Sequence, residues 1–256
     1  MLSQNFEIIG ESGIEKGRIL YFKTISSTQN WAVENQHRLK IGDVIWTKNQ
    51  TAGIGRVNKT WVTLPDTCLT FSLVLPSYTN NDLNVVLCQI LAVTVGNVLE
   101  LQKIAYSYKW PNDILIDKKK ISGIIANYIK KGGLVIAGVG LNVNLTYSQI
   151  DSLPVSQPIT SLTILKNKTF KLKNLLLNFI TVLKNNLNKF HSDGRIYFIN
   201  MLRNHDYYTT NDLLSLKINN HIVQGTYQGI DDQGRLQIRT YNNLIKKFWS
   251  GEILKQ

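Results

Sequence analysis

Lys109-Trp110-Pro111-Asn112-Asp113-Ile114-Leu115-Ile116-Asp117-Lys118-Lys119-Lys120-Ile121-Ser122-Gly123 is the stretch on which the reading of this chain turns. Tyr106 to Trp110 and Ile114 to Asp117 read as strands, and Lys120 to Lys130 as the strand that returns. The hairpin brings Asp113 and Lys120 to the same end of a sheet. A lysine beside a carboxylate and a glycine suits a site that grips a ligand's carboxylate and a nucleotide's phosphate together. An ordinary hairpin with a solvated Lys118–Lys120 turn is the plain alternative. Pro111 weighs against it, because proline lacks the N–H of a ladder and keeps to strand ends and edges. Trp110 weighs against it too, since so large a ring favours burial over an exposed turn.

Working outward, Arg18 to Ile25 alternates as a strand does, and Ser26 to Arg38 reads as a helix whose Ser or Thr hydroxyl caps the first turn. Asp43 to Lys48 is a strand, Asn49 to Lys59 a polar, glycine-containing loop, and Cys68 to Leu75 an apolar strand. Leu83 to Leu101 carries apolar residues at helical spacing, so a long, mostly buried helix is expected. Leu134 to Val143 closes a strand meander, and Ser148 to Pro158 is a connection. Ile159 to Phe190 predicts a short and a long helix, and Arg195 to Arg203 another. Beyond His205 the texture changes. Leu213 to Asn219, His221 to Ile230, Arg235 to Tyr241 and Leu244 to Trp249 are short strands separated by Asn- and Gly-containing turns. That spacing predicts a small β-barrel. The expected organisation is a domain over 1–205 and a barrel over 206–256, with the boundary near Asp206 to Asn211.

With 256 residues and 43% hydrophobic content, the chain has room for a large domain and a small one. No apolar run is long enough to span a bilayer. Met1 to Gly10 has neither the basic start nor the apolar core of a secretory signal, so a cytoplasmic protein is expected. Cys68 and Cys88, the only cysteines, sit in apolar stretches and read as buried free thiols rather than a disulfide or metal pair. A net charge of +12 favours acidic partners. The lysines are scattered rather than gathered into one basic arm, which ranks phosphate or nucleotide binding above general nucleic-acid binding. His37, His191, His205 and His221 lack metal-ligand spacing, so no dedicated protein metal cage is expected.

Three further constellations carry chemistry. In Gln50-Thr51-Ala52-Gly53-Ile54-Gly55-Arg56-Val57-Asn58-Lys59-Thr60-Trp61, the glycines let backbone amides approach an anion. Arg56 and Lys59 add positive charge there, and Trp61 an apolar wall. The pattern has neither the spacing of a dinucleotide fingerprint nor the ending of a P-loop, and a flexible surface loop is an equal reading. Ser26-Ser27-Thr28-Gln29 places hydroxyls and an amide at a helix start, where they cap the helix or read a small polar ring. Gly138-Val139-Gly140-Leu141-Asn142-Val143 offers a strand that lies close to a planar ligand, with Asn142 able to read an adenine edge. Glycines that relieve a crowded sheet explain it equally well.

The four segments in this order, closed by Gly229 to Gly234 and Trp249-Ser250-Gly251-Glu252-Ile253, resemble the biotin–protein ligases, the biotin–[acetyl-CoA-carboxylase] ligase family. The resemblance covers nearly the whole chain. The Lys109–Asp113 block is its most specific motif, and the C-terminal block separates it from the lipoate ligases. What it implies is an α/β (α+β) domain like that of class II aminoacyl-tRNA synthetases with a small SH3-like β-barrel. The implied reaction uses ATP to make biotinyl-5′-AMP and then passes biotin to a lysine of a biotin carboxyl carrier protein of acetyl-CoA carboxylase. Magnesium is expected to arrive with the nucleotide phosphates.

The residue roles implied are these. Lys120 and Arg56 neutralise the two anions, and Asp113 orients or deprotonates the incoming amine or helps to hold magnesium. Ser27, Thr28, Gln29 and Gln50 face biotin's polar ring, and Gly53, Ile54, Gly55, Arg56, Trp61, Lys120 and Gly123 complete its site. Arg56, Lys59, Lys109, Asn112, Lys120 and Asn142 serve ATP. Three departures stand out. The family's Gly-Arg-Gly-Arg reads Gly53-Ile54-Gly55-Arg56 here, a further family arginine appears as Lys59, and Gln29 stands where asparagine is frequent.

Some members carry an N-terminal winged helix-turn-helix. The residues before Ser26 are too few for one, so a monofunctional ligase without sequence-specific DNA binding or membrane attachment is expected, and a homodimer is compatible with the resemblance. The competing readings are a lipoate or octanoate ligase with the same adenylate chemistry, and a non-catalytic nucleic-acid-binding protein. The second would need Tyr227, Tyr241, Phe248 and Trp249 as stacking platforms. They read more simply as barrel core and turn residues.

Overall fold

The computed structural model of the protein describes residues 6–57, 59–77, 81–129 and 132–254. In chain order the elements are β1 (Glu7–Glu11), β2 (Arg18–Phe22), α1 (Thr28–Glu34), β3 (Val44–Thr47), β4 (Cys68–Pro76) and α2 (Asn81–Leu101). They continue with β5 (Ser107–Lys109), β6 (Asp113–Ile116), β7 (Lys119–Ile129), β8 (Leu134–Asn142), α3 (Tyr147–Ser152), α4 (Leu162–Lys166) and α5 (Leu172–Asn204). Last come β9 (Leu213–Ile218), β10 (His221–Ile230), β11 (Leu236–Arg239), β12 (Ile245–Phe248) and β13 (Glu252–Ile253). The first eight strands form one sheet in the order β1-β2-β3-β4-β8-β7-β6-β5, antiparallel except between β2 and β3. The last five form an antiparallel sheet in the order β12-β11-β10-β9-β13. This is the mixed α/β architecture with a small all-β unit that the sequence predicts.

Alternation along β4 explains the layering. Leu69, Phe71, Leu73 and Leu75 belong to the large core that includes α2 and α5. Cys68, Thr70, Ser72 and Val74 take the opposite face. There Val74 joins Leu20, Phe22, Ile25, Trp31, Ala32, Ile45 and Ile136 in a second cluster built around α1. The polar end of that second face, at Thr70 and Ser72, is left for the site.

α1 begins where its cap predicts, with Ser27 Oγ accepting from Asn30 N. The expected helix to Arg38 is shorter, ending at Glu34 and followed by a 3-10 turn over Gln36–Arg38. The two expected helices after residue 171 form one run, broken at Gly194 (φ 70°, ψ −172°). Glycine alone takes that backbone without strain. Three elements were not expected. β1 is an exposed edge strand with no clean alternation, β13 has two residues, and α3 is a short helix set by a Thr146–Gln149 capping box. Lys130, the expected end of β7, lies outside the described residues.

The second sheet shares the large core. Leu214, Leu216, Tyr227, Ile230, Leu236 and Ile238 cluster with side chains of α2 and α5. At the junction Gly234 O accepts from Gln89 Nε2 at 3.0 Å and from Trp110 Nε1 at 3.3 Å. Arg203 Nε donates to Ile230 O at 2.8 Å. Trp110 thus finds its burial, and its N–H a partner, against the small sheet. No helix among the described residues is long and apolar enough to cross a membrane.

Phe179 of α5 is 1% exposed and packs edge-on to Phe71 with centroids 4.9 Å apart. Phe179→Ala is expected to cost about 3–5 kcal/mol in urea unfolding. Ser27→Ala, which removes only a cap bond, should cost about 1 kcal/mol. Equal midpoint shifts for the two variants would contradict this division between core and cap.

Candidate functional site

The site opens on the polar part of the second sheet face. A cavity of about 650 Å³ is lined by Ser27, Thr28, Gln29 and Gln50, by the loop residues Ile54, Gly55, Arg56, Lys59 and Trp61, and by Lys109, Asn112, Asp113, Lys120, Gly123 and Asn142. Of the residues expected in the site, Gly53 alone is not part of this lining. It sits at the base of the loop, where an added Cβ would lie 2.3 Å from Trp61 O and 2.5 Å from Gln50 Nε2. The sequence passes over several wall residues, namely Thr70, Ser72, Ile125, residues 154–157, Ile159 and residues 251–254.

The hairpin delivers its two charges through an irregularity. Asp113 pairs with Gly123 and Ile114 with Ser122, but Leu115 pairs with Lys120, leaving Ile121 as the extra residue. A strand alternates faces, so Lys120 and Gly123 would stand on opposite faces of a regular ladder. The extra residue turns Lys120 onto the face of Asp113. Lys120 Nζ lies 2.8 Å from Asp113 Oδ1, and the side chains are 16% and 17% exposed. Lys120 Nζ also lies 5.5 Å from the centre of the Trp61 ring. A Cβ on Gly123 would stand 3.1 Å from Lys120 Cε and Nζ, so the glycine leaves room for the ammonium.

The glycine loop folds back on itself as a short hairpin. Ile54 bridges Thr60, Trp61 N donates to Gly53 O at 2.9 Å, and Gly55 N donates to Lys59 O at 2.6 Å. The Gly55 amide, expected to face an anion, is therefore engaged within the loop. Trp61 lies flat against β8, where a Cβ on Gly140 would come 2.4 Å from its Cε2. The β8 glycines thus admit protein side chains, Trp61 at Gly140 and the Gln29 amide at Gly138. Trp61 Nε1 is buried with no hydrogen-bond partner among the described residues, which leaves a donor for a ligand.

Arg56 Nη1 donates to Asn112 Oδ1 at 3.0 Å, and Asn112 Nδ2 donates to Ile124 O at 2.9 Å. Asn112 therefore orients the guanidinium. Burial lowers the Arg56 pKa and the nearby Asp113 opposes that shift. An arginine this basic stays charged regardless. Lys59 pairs with Glu252 of β13. Lys109 Nζ stands 5.8 Å from the centre of the Tyr207 ring. Asn142 Nδ2 reaches Lys120 O at 3.4 Å.

At the other end, Gln50 Oε1 accepts from Thr28 N at 2.9 Å and lies 3.3 Å from Thr28 Oγ1. Ser72 Oγ lies 3.0 Å from Thr28 Oγ1 and 2.8 Å from Gln29 Oε1, and its single proton serves one of them at a time. Gln29 Nε2 donates to Asn127 Oδ1 at 2.9 Å and to Ile136 O at 2.7 Å. Gln29 therefore has its amide satisfied by the protein and supports Thr28 and Ser72 from behind. Alternation in Cys68-Leu69-Thr70-Phe71-Ser72 was the available signal for Thr70 and Ser72. For Glu252, 193 residues from Lys59, no local signal exists.

Burial pushes the thiols of Cys68 and Cys88 up to about 11, Arg56 opposing at Cys88, so both stay protonated near neutral pH. No group of three or more His, Cys, Asp or Glu side chains able to hold a metal ion occurs among the described residues. The donor set around Asp113 is cationic, which does not fit a resident metal.

A cavity with a paired Lys–Asp, a half-buried arginine and a hydroxyl–amide end can hold a molecule with a polar head at one end and a carboxylate beside a phosphate at the other. Comparison with known proteins points the same way. Residues 21–144 match the biotin/lipoate A/B protein ligase family, and residues 215–255 match the biotin protein ligase C terminal domain. The chain is 28% identical over 242 residues to the bifunctional ligase/repressor BirA of Bacillus spizizenii, covering 92% of this chain and 73% of that protein. It is 24% identical over 249 residues to BirA of Escherichia coli, covering 96% and 76%. A biotin protein ligase from Aquifex aeolicus, solved in complex with biotin and ATP, superposes with a TM-score of 0.78 at 26% identity, covering 92% of this chain and 97% of that one.

Because Trp61 occupies the space above Gly140, Gly140→Ala forces the ring outward. The variant is expected to lose about 1–3 kcal/mol of stability through overpacking. Its tryptophan emission should shift to the red. A variant with wild-type emission and stability would mean that the indole yields without cost.

Proposed function

We propose, from the premise that this chain belongs to the biotin–protein ligase family, that it uses ATP to activate biotin and then biotinylates a carrier protein. The observation that carries the reading is the Lys120–Asp113 pair beside Arg56 in a cavity whose far end is the Thr28–Gln50–Ser72 group. In this reading residues 1–205 hold the chemistry and 206–256 form the small C-terminal unit that closes one wall of the cavity.

In the first step a carboxylate oxygen of biotin attacks the α-phosphorus of ATP, and the bond to pyrophosphate breaks. Two anions must approach, so fixed cations are the main need. Lys120 Nζ stands between the carboxylate and the α-phosphate, and Arg56 donates to the phosphate from the loop side. Ser27, Thr28 and Gln50 take the ureido ring, whose N–H and C=O groups need partners once buried. Trp61 lies over the ligand, with its free indole N–H as a further donor. Lys109, Asn112 and Asn142 border the nucleotide. Magnesium enters only as the companion of the ATP phosphates.

In the second step the ε-amine of an acceptor lysine attacks the acyl carbon, AMP leaves, and the amine's proton goes to a nearby base. Asp113 is the carboxylate placed to orient that amine. Its ion pair with Lys120 holds it beside the reacting centre. The acceptor proposed is the biotin carboxyl carrier protein of acetyl-CoA carboxylase. The match of residues 215–255 to a biotin ligase C-terminal domain supports biotin over lipoate or octanoate.

Biotin-dependent ATP–pyrophosphate exchange tests the reading, with lipoate and octanoate offered in parallel. Exchange driven by lipoate and not by biotin would replace biotin with the rival substrate. Lys120→Ala is expected to lower exchange by roughly a hundredfold or more, the scale of losing one preorganised electrostatic donor. Near-normal exchange in that variant would remove Lys120 from its role. Ordering the loop around ligand is a second expectation. Amides of residues 51–57 should gain hydrogen-exchange protection with biotinyl-AMP, and equal protection with and without it would count against loop closure.

A further inference from the structure

The two cations of the glycine loop are both held by one short segment of the C-terminal unit. Arg56 Nη2 lies 3.4 Å from Gly251 O, and Lys59 Nζ pairs with Glu252. The segment itself has little freedom. Glu252 and Ile253 pair with Lys217 and Leu216 of β9, and Leu254 N donates to Ser215 O at 2.9 Å. A Cβ on Gly251 would lie 2.6 Å from Cδ1 of Leu216, which is fully buried. The sheet that carries this segment is in turn seated on the catalytic half where Gln89 and Trp110 donate to Gly234 O. Contacts therefore run from the Lys109–Asp113 block, through the small sheet, to Glu252 and back to the loop.

We infer that Glu252 is a positioning residue: through Lys59 it holds the glycine loop over the cavity. It acts by fixing where Arg56 stands relative to Lys120 and Asp113, and it does not touch the reacting atoms. The hydrogen bond from Lys59 holds the Glu252 carboxyl below its usual range, as a formed pair should. The Lys59 side chain is 58% exposed and that of Glu252 32%. So exposed a pair gives a modest tether. A modest tether suits a loop that must open to exchange ligand. The consequence for the reaction rests on the ligase reading above, whereas the tether is a property of the free protein.

Hydrogen exchange of residues 51–57 and 59–61 in the ligand-free full chain tests it. Glu252→Gln is expected to raise exchange there by roughly two- to fivefold, the scale of a lost exposed pair. Glu252→Lys should raise it further, and Lys59→Glu combined with Glu252→Lys should bring it back towards wild type. The same order should appear in the rate of biotinyl-AMP release and in the KM for ATP, with kcat changing less. Equal loop exchange in wild type, E252Q and E252K would overturn the inference, and so would a charge swap that restores nothing. Amides of β9 and β10 serve as the control. If the single variants loosen them too, restoration of the loop by the swap still supports the tether, and its failure still overturns it. A wild-type protein without biotin-dependent pyrophosphate exchange would sink the proposed function while the ligand-free measurement still decides the tether.

Discussion

Two opposite charges held largely out of water at the floor of one cavity set the terms for the rest of this structure. Removing an ammonium and a carboxylate from solvent is costly unless each meets a partner in good geometry. Asp113 and Lys120 meet as an ion pair at 2.8 Å, with Asp113 Oδ1 buried and outside hydrogen-bond angles, and that meeting needs both a hairpin and one extra residue within it. The extra residue, Ile121, is fully buried on the core side, so packing holds the irregularity in place. The glycine opposite Asp113 keeps the space in which the lysine lies. Charge placement and core packing are thus solved by the same few residues.

The sheet serves two masters on its two faces. One face is apolar along most of its length and is covered by α2 and α5. The other is apolar only where α1 covers it, and becomes hydroxyl, amide and glycine where the cavity lies. The polar groups there are cross-bonded, with Ser72 between Thr28 and Gln29, and Gln50 against Thr28. Such a network holds its donors and acceptors in fixed directions before any ligand arrives, which lowers the ordering that binding must bring about. Trp61, pressed against a glycine of β8, does the same for the apolar wall.

The small C-terminal unit belongs to this site as much as to its own fold. Its strands share the large core, its turn at Gly234 satisfies the buried indole of Trp110, and its last strand lines the cavity. A separate body joined by a linker would not offer these contacts. The arrangement also answers why Trp110 follows Lys109. The ring anchors the Lys109–Asp113 hairpin to a surface that no neighbouring stretch of sequence supplies.

Much of this was legible in the chain itself. Alternation, apolar runs and turn residues gave most of the strands, helical spacing gave α2, a Ser or Thr cap gave the start of α1, and the return of Lys120 towards Asp113 followed from a hairpin over a lysine turn. These are local properties, set by neighbours a few residues apart. What local pattern does not carry is the face on which a side chain ends, or a partner far along the chain. A strict period of two would have sent Lys120 to the wrong face from Gly123, and only the pairing of Leu115 with Lys120 decides otherwise. Gln29 reads as a ligand donor until Asn127, Ile136 and Ser72 are seen to satisfy it. Lys59 reads as a free cation until Glu252, 193 residues away, takes it up. The sequence by itself determined which groups exist and which elements bear them. The tertiary structure decided which of those groups are already bonded and which remain for a ligand, because a polar group's partners are settled only when distant segments bury it together.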